Sequence, residues 1–194
     1  LGMPIGIIDA NKGATNIYGW LSRETIESDA TVLANAKADG CYTSESNWNS
    51  GSGKYLQMSA MYNTKISPLS NFSIAGMIWY QGCGNINNAE GHYAAALELL
   101  LKSYSEFFGF EENSMPMIVS HLHPYFNSSN FEIAARFNNE FSAVASKYPE
   151  NVAQIAIYDL PLEYASNNQP IHPTEKIDIG KRFGIAAAGL VYDK

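Results

Sequence analysis

The chain has 194 residues, enough for one well-buried domain and short for two, so a single domain over residues 1–194 is expected. Hydrophobic residues make up 46% of it, but no apolar run nears the about 18 residues of a membrane helix, and no membrane partner is expected. Twelve Lys plus Arg against nineteen Asp plus Glu give a net charge of −7 with no basic cluster to follow a phosphate backbone, which excludes nucleic acid as a partner class.

Only 16% of the residues are charged while Asn, Ser and Tyr abound, a surface chemistry suited to neutral substrates such as sugars. Two cysteines, Cys41 and Cys83, make no disulfide framework and leave the redox compartment open.

In chain order, Met3 to Ile8 is short, apolar and rich in isoleucine, and it reads as a buried strand. The turn Asp9 to Thr15 follows, then a helical pattern over Glu24 to Lys37 and a loop rich in Ser, Asn and Gly over Thr43 to Lys54. A second strand, Ile74 to Tyr80, runs into the loop Gln81 to Asn88 and a helix over Tyr93 to Phe108. Met117 to Leu122 forms a third strand, followed by the loop His121 to Asn127 and a helix over Glu132 to Lys147. Val152 to Tyr158, the loop Asp159 to His172 and a helix over Pro173 to Leu190 complete the series. Strand alternating with helix predicts an α/β fold, a mostly parallel sheet between two helical layers, with ligands at the carboxyl ends of the strands.

The loops after the strands are therefore where chemistry is sought. Gly13 in the first turn can bring a backbone N–H to a developing oxyanion, although from spacing alone the stretch reads first as an ordinary tight turn capped by Thr15. Trp79-Tyr80-Gln81-Gly82-Cys83-Gly84-Asn85 sets two glycines and an amide beyond a buried strand. Asn85 can donate a side-chain N–H to the same oxyanion at any pH, or it can simply shape the turn. Cys83 has no histidine beside it in sequence and reads as an inert thiol. His172 stands just before Pro173, a residue suited to the first helical position, where a neutral imidazole can take a proton from a hydroxyl or merely cap the helix. His121 and His123 alternate on a strand end, so joint metal binding is not expected.

Together these motifs resemble the sialate O-acetylesterases and related carbohydrate acetylesterases of the SGNH hydrolase superfamily. Pro4 to Ile8 through Gly13-Ala14-Thr15 and Gly19 to Arg23 resembles a strand, a Gly-Gly-Thr turn and a Trp-containing segment of that family. Met61-Tyr62-Asn63, Ile66 to Leu69, Ile78 to Gly82 with Asn85, and Ile171-His172-Pro173 follow in the family's order, and the resemblance covers most of the chain. It implies a flavodoxin-like three-layer α/β/α sandwich and removal of O-acetyl groups from a carbohydrate, sialic acid first, by a Ser-His mechanism without metal or organic cofactor. Gly13 and Asn85 would hold the oxyanion and His172 would be the general base. Gln81, Tyr80 and His123 would line the sugar pocket.

Three departures shape the expectation. The family's Gly-Gln-Ser-Asn turn with its nucleophile is absent, so the serine and the first, central strand are expected upstream or on a second chain, leaving an apolar sheet face and edge exposed here. Gln169 and Pro170 stand where the family often carries an Asp before the histidine, so Gln169, Asp159 or nothing orients His172. Cys83-Gly84 replaces a common Glu-Ser, which leaves the preferred sugar open. The rival from another class is a binding module or degenerate esterase that holds sugar without a nucleophile.

Overall fold

Three short apolar runs form one parallel sheet in the order β1-β2-β3: β1 (Met77–Trp79), β2 (Met117–Ser120) and β3 (Val152–Ile155). A computed structural model of the chain describes residues 2, 4–48, 53–123, 131–160 and 176–192. Met77, Met117 and Val152 share one row of the register and Ile78, Ile118 and Ala153 the next, so successive rows face opposite sides of the sheet. All four residues of the central β2 are buried, as a strand covered on both faces requires.

One face packs against α3 (His92–Phe107) and α4 (Phe131–Lys147), the other against α5 (Ile177–Ala187). In α3 the spacing of Tyr93, Leu97, Leu100, Leu101 and Tyr104 lays a continuous buried stripe on one side, and Phe137, Phe141 and Val144 do the same for α4. Trp79, Met117, Val119 and Val152 complete this larger core, and Tyr93 packs its ring on Phe137 and Phe141 at 4.6 and 5.3 Å. Ile118 and Ile155 point the other way and meet Ile157, Ile179 and Phe183 in a smaller core beneath α5.

The α/β class, the parallel sheet and three of the four expected strands are present. The first expected strand is not formed: residues 4–10 carry no strand, and Ile5, Ile7 and Ile8 are 61%, 89% and 43% exposed. An extended segment is secured only by a ladder of bonds to a neighbour, and no described residue offers one to this stretch. Its apolar pattern alone could not make it a strand. Correspondingly, β1 has an unpaired outer edge among the described residues, and Ile78 on the α5 side is 55% exposed.

The expected helix Glu24 to Lys37 is two helices, α1 (Arg23–Ser28) and α2 (Ala30–Ala38), broken at Asp29. Asp29 has extended dihedrals, and its carboxylate accepts from the backbone N–H groups of Thr31 and Val32 at 3.0 and 2.9 Å, so it ends one helix and caps the next. The last helix starts at Ile177; the expected beginning at Pro173 lies outside the described residues.

Candidate active site

The loop after β1 turns sharply beneath the sheet's carboxyl end, and two glycines make this possible. Gly82 has φ 145°, and a Cβ there would stand 2.7 Å from Phe137. A Cβ on Gly84 would stand 2.5 Å from the carbonyl oxygen of Thr15, so only glycine lets this loop close on the one preceding Ile17.

Asn85 is fully buried at that closure. Its Oδ1 accepts from the Ile17 N–H at 2.8 Å and from Gln81 Nε2 at 3.1 Å. A backbone N–H can only donate, so the amide oxygen must face Ile17 and the amide nitrogen must face away. That nitrogen, Nδ2, is buried with no hydrogen-bond partner among the described residues. Leaving such a donor unpaired costs about 1–3 kcal/mol.

The neighbouring turn is fastened to the same point. Gln81 Nε2 donates to the Thr15 carbonyl at 2.8 Å, and Trp20 Nε1 donates to Thr15 Oγ1 at 3.0 Å. Thr15 Oγ1 in turn donates to the Lys12 carbonyl at 3.0 Å and closes the turn that carries Gly13, which is exposed to solvent. Ala14, beside it, has φ 62°.

His123, beyond β2, is 6% exposed, and neither ring nitrogen has a hydrogen-bond partner among the described residues. Burial and the Lys176 cation lower its pKa against a smaller pull from Asp159, so the ring is neutral at physiological pH. Tyr80 packs near Phe183 at 6.4 Å, with the Lys176 ammonium 5.0 Å from its ring centroid. Asp159 is held in a two-point pair by Arg182, at 2.6 Å for each oxygen, and those hydrogen bonds bring its pKa down to about 2. The loops after β1 and β2 thus carry Asn85, Gln81, Tyr80 and His123. His172 and Gln169 lie outside the described residues.

Sequence reading missed three residues that hold this arrangement. The Tyr93 hydroxyl donates to Gln81 Oε1 at 2.8 Å and accepts from Trp79 Nε1 at 2.9 Å. Glu140 on α4 accepts from the Gly91 and Ala94 N–H groups at 2.7 and 2.9 Å, capping α3 from another helix. The Asn138 amide pairs with both the N–H and the carbonyl of Leu122, at 2.8 and 3.2 Å, and fixes the backbone just before His123. These residues sit on helical stripes, where composition marks them only as helix. A cleft of about 330 Å³ opens between α4 and the post-strand loops, lined in part by His121, Asn138, Ser142 and Tyr158. Neither Gln81 nor Asn85 lines it.

Residues 27–188 match the family described as carbohydrate esterase, sialic acid-specific acetylesterase. The chain belongs to this family. Among curated relatives, the sialate O-acetylesterase of Rattus norvegicus is 26% identical over 217 residues, a match covering 97% of this chain and 40% of that protein. The Homo sapiens sialate O-acetylesterase is 26% identical over 199 residues, covering 97% and 36%. The chain therefore spans well under half the length of these relatives. Among solved structures, a carbohydrate acetylesterase from Xanthomonas citri superposes with a TM-score of 0.68 at 22% identity, covering 94% of this chain and 35% of that one, and shows a shared fold.

Proposed function

We propose that these residues form the oxyanion and histidine portion of a serine carbohydrate acetylesterase acting on an O-acetylated sugar, with sialic acid the first candidate. The observation that carries this reading is the buried, unpartnered Nδ2 of Asn85, held donor-outward at the carboxyl end of the sheet. A fixed N–H donor in a water-poor site stabilises charge that develops in the transition state without reorganising, which is how acyl transfer is accelerated.

In this mechanism the serine hydroxyl attacks the acetyl carbonyl while His172 takes its proton. The resulting oxyanion lies between the Gly13 N–H and Asn85 Nδ2. Collapse returns the proton through His172 to the departing sugar oxygen and leaves an acetyl-serine. Water, activated by the same histidine, then releases acetate. Both oxygens of Asp159 are engaged by Arg182, which favours Gln169 or a plain Ser-His pair for orienting His172. Lys176, exposed with its ammonium over the Tyr80 ring and with no carboxylate paired to it among the described residues, suits an acidic sugar.

The serine is placed in a segment preceding residue 1 or on a second chain. That segment would add a strand at the open edge of β1 and cover Ile78, Ile5 and Ile7. The complete protein tests the reading. Asn85→Ala is expected to lower kcat about a hundredfold through the lost oxyanion donor, and His172→Ala by more, with KM little changed. Unchanged acetate release in Asn85→Ala would return that residue to a turn-forming role.

A further inference from the structure

Asn85 cannot hold its donor outward unaided. Its amide rotates about a soft torsion, and a flipped amide would set Nδ2 against the Ile17 N–H. Oδ1 is fixed by two donors, the Ile17 backbone and Gln81 Nε2, so the second depends on how the Gln81 amide is turned. The Thr15 carbonyl, an acceptor only, fixes one side of that amide, because it must face Nε2 at 2.8 Å. The other side is fixed by Tyr93. Its hydroxyl has one proton, and the acceptors within reach are Gln81 Oε1 at 2.8 Å and the Gln81 carbonyl at 3.1 Å. The Trp79 indole N–H donates into the same hydroxyl oxygen at 2.9 Å, which directs the proton toward Gln81.

Resting on the reading of Asn85 given above, we infer that Tyr93 and Gln81 are positioning residues that hold the Asn85 amide in its donor-outward orientation. Every bond in the path runs one way, from Trp79 Nε1 to Tyr93, from Tyr93 to Gln81 Oε1, and from Gln81 Nε2 to Asn85 Oδ1. Reversing any amide would set donor against donor or acceptor against acceptor within a buried site. Both amide groups of Gln81 are satisfied inside the protein, so its contribution is orientation of the neighbouring amide. Glu140 anchors the start of α3 and so sets the depth at which Tyr93 enters the network.

The test is a double-mutant cycle on acetyl-ester turnover in the complete protein. Tyr93→Phe removes one oxygen and keeps the ring packed on Phe137 and Phe141. It is expected to lower kcat about tenfold with KM within about twofold, since the loss falls on transition-state stabilisation. Tyr93→Phe combined with Asn85→Ala is expected to be no slower than Asn85→Ala alone, because the two act through one donor. Gln81→Met carries the same cycle should the phenylalanine variant not fold. A double variant slower by the product of the single losses overturns the inference while leaving Asn85 as the oxyanion donor. Full turnover in Asn85→Ala overturns both.

Discussion

A carboxamide nitrogen buried without a partner is the most informative group in this protein. Its orientation follows from the two donors that face its oxygen, the Ile17 N–H and Gln81 Nε2, and not from any property of asparagine itself. The sequence placed Asn85 beyond a buried strand and just after two glycines, but which way its amide turns depends on what faces its oxygen, a contact 68 residues away in sequence. Ala14 shows the same limit from the other side. In a Gly-Ala-Thr turn the alanine occupies φ 62°, a left-handed conformation that costs an L residue about 1–2 kcal/mol. Ala14→Gly is therefore expected to stabilise the fold by about 1 kcal/mol, after allowing for glycine's freer unfolded state, with a rise in the urea midpoint as the readout. His123 sets a pH dependence. Its folded pKa lies below the ordinary value of about 6.5, so its neutral burial is harmless above that pH, and stability falls as pH drops from the ordinary value toward the folded one. Thermal unfolding at about pH 7.5 and pH 5.5 is expected to show a smaller pH-dependent fall in Tm for His123→Gln than for the unaltered protein.

At the scale of elements, the apolar runs of β2 and β3 and the stripes of α3 and α4 were readable because each is specified by its own residues and buried by what they pack against. Residues 4–10 carry an equally good strand pattern but find no ladder, since pairing is a property of two segments and pattern of one. The break at Asp29 was present in the chain as a Ser-Asp pair inside an apolar repeat, a capping signal overridden by the longer period. The start of α3 was legible to within one residue, but its cap was not. Gly91 precedes it with no side chain to cap the helix, and the cap arrives from Glu140 on another helix. Glu140 is 7% exposed and accepts two backbone N–H groups, so Glu140→Ala is expected to cost about 2 kcal/mol, and Glu140→Gln, which keeps one acceptor, about half as much. Urea unfolding midpoints of the two variants check the order; equal midpoints would show that the carboxylate does not hold α3.

For the molecule as a whole, the central claim is a division of labour. The described residues hold a buried, unpaired amide donor, a neutral buried histidine and a cation over an aromatic ring at one end of a parallel sheet whose first strand has an open edge. Family and fold were legible from ordered motifs; the long-range bonds that turn those motifs into a site were not, because they join helices and loops that share no periodicity. Treatment with a fluorophosphonate, with acetyl-ester turnover measured alongside and peptide mass mapping of any adduct, tests the claim most directly. No adduct and no turnover are expected for residues 1–194 alone, and both in the complete protein, with the adduct on a serine outside these residues. A labelled serine within residues 1–194 would contradict it.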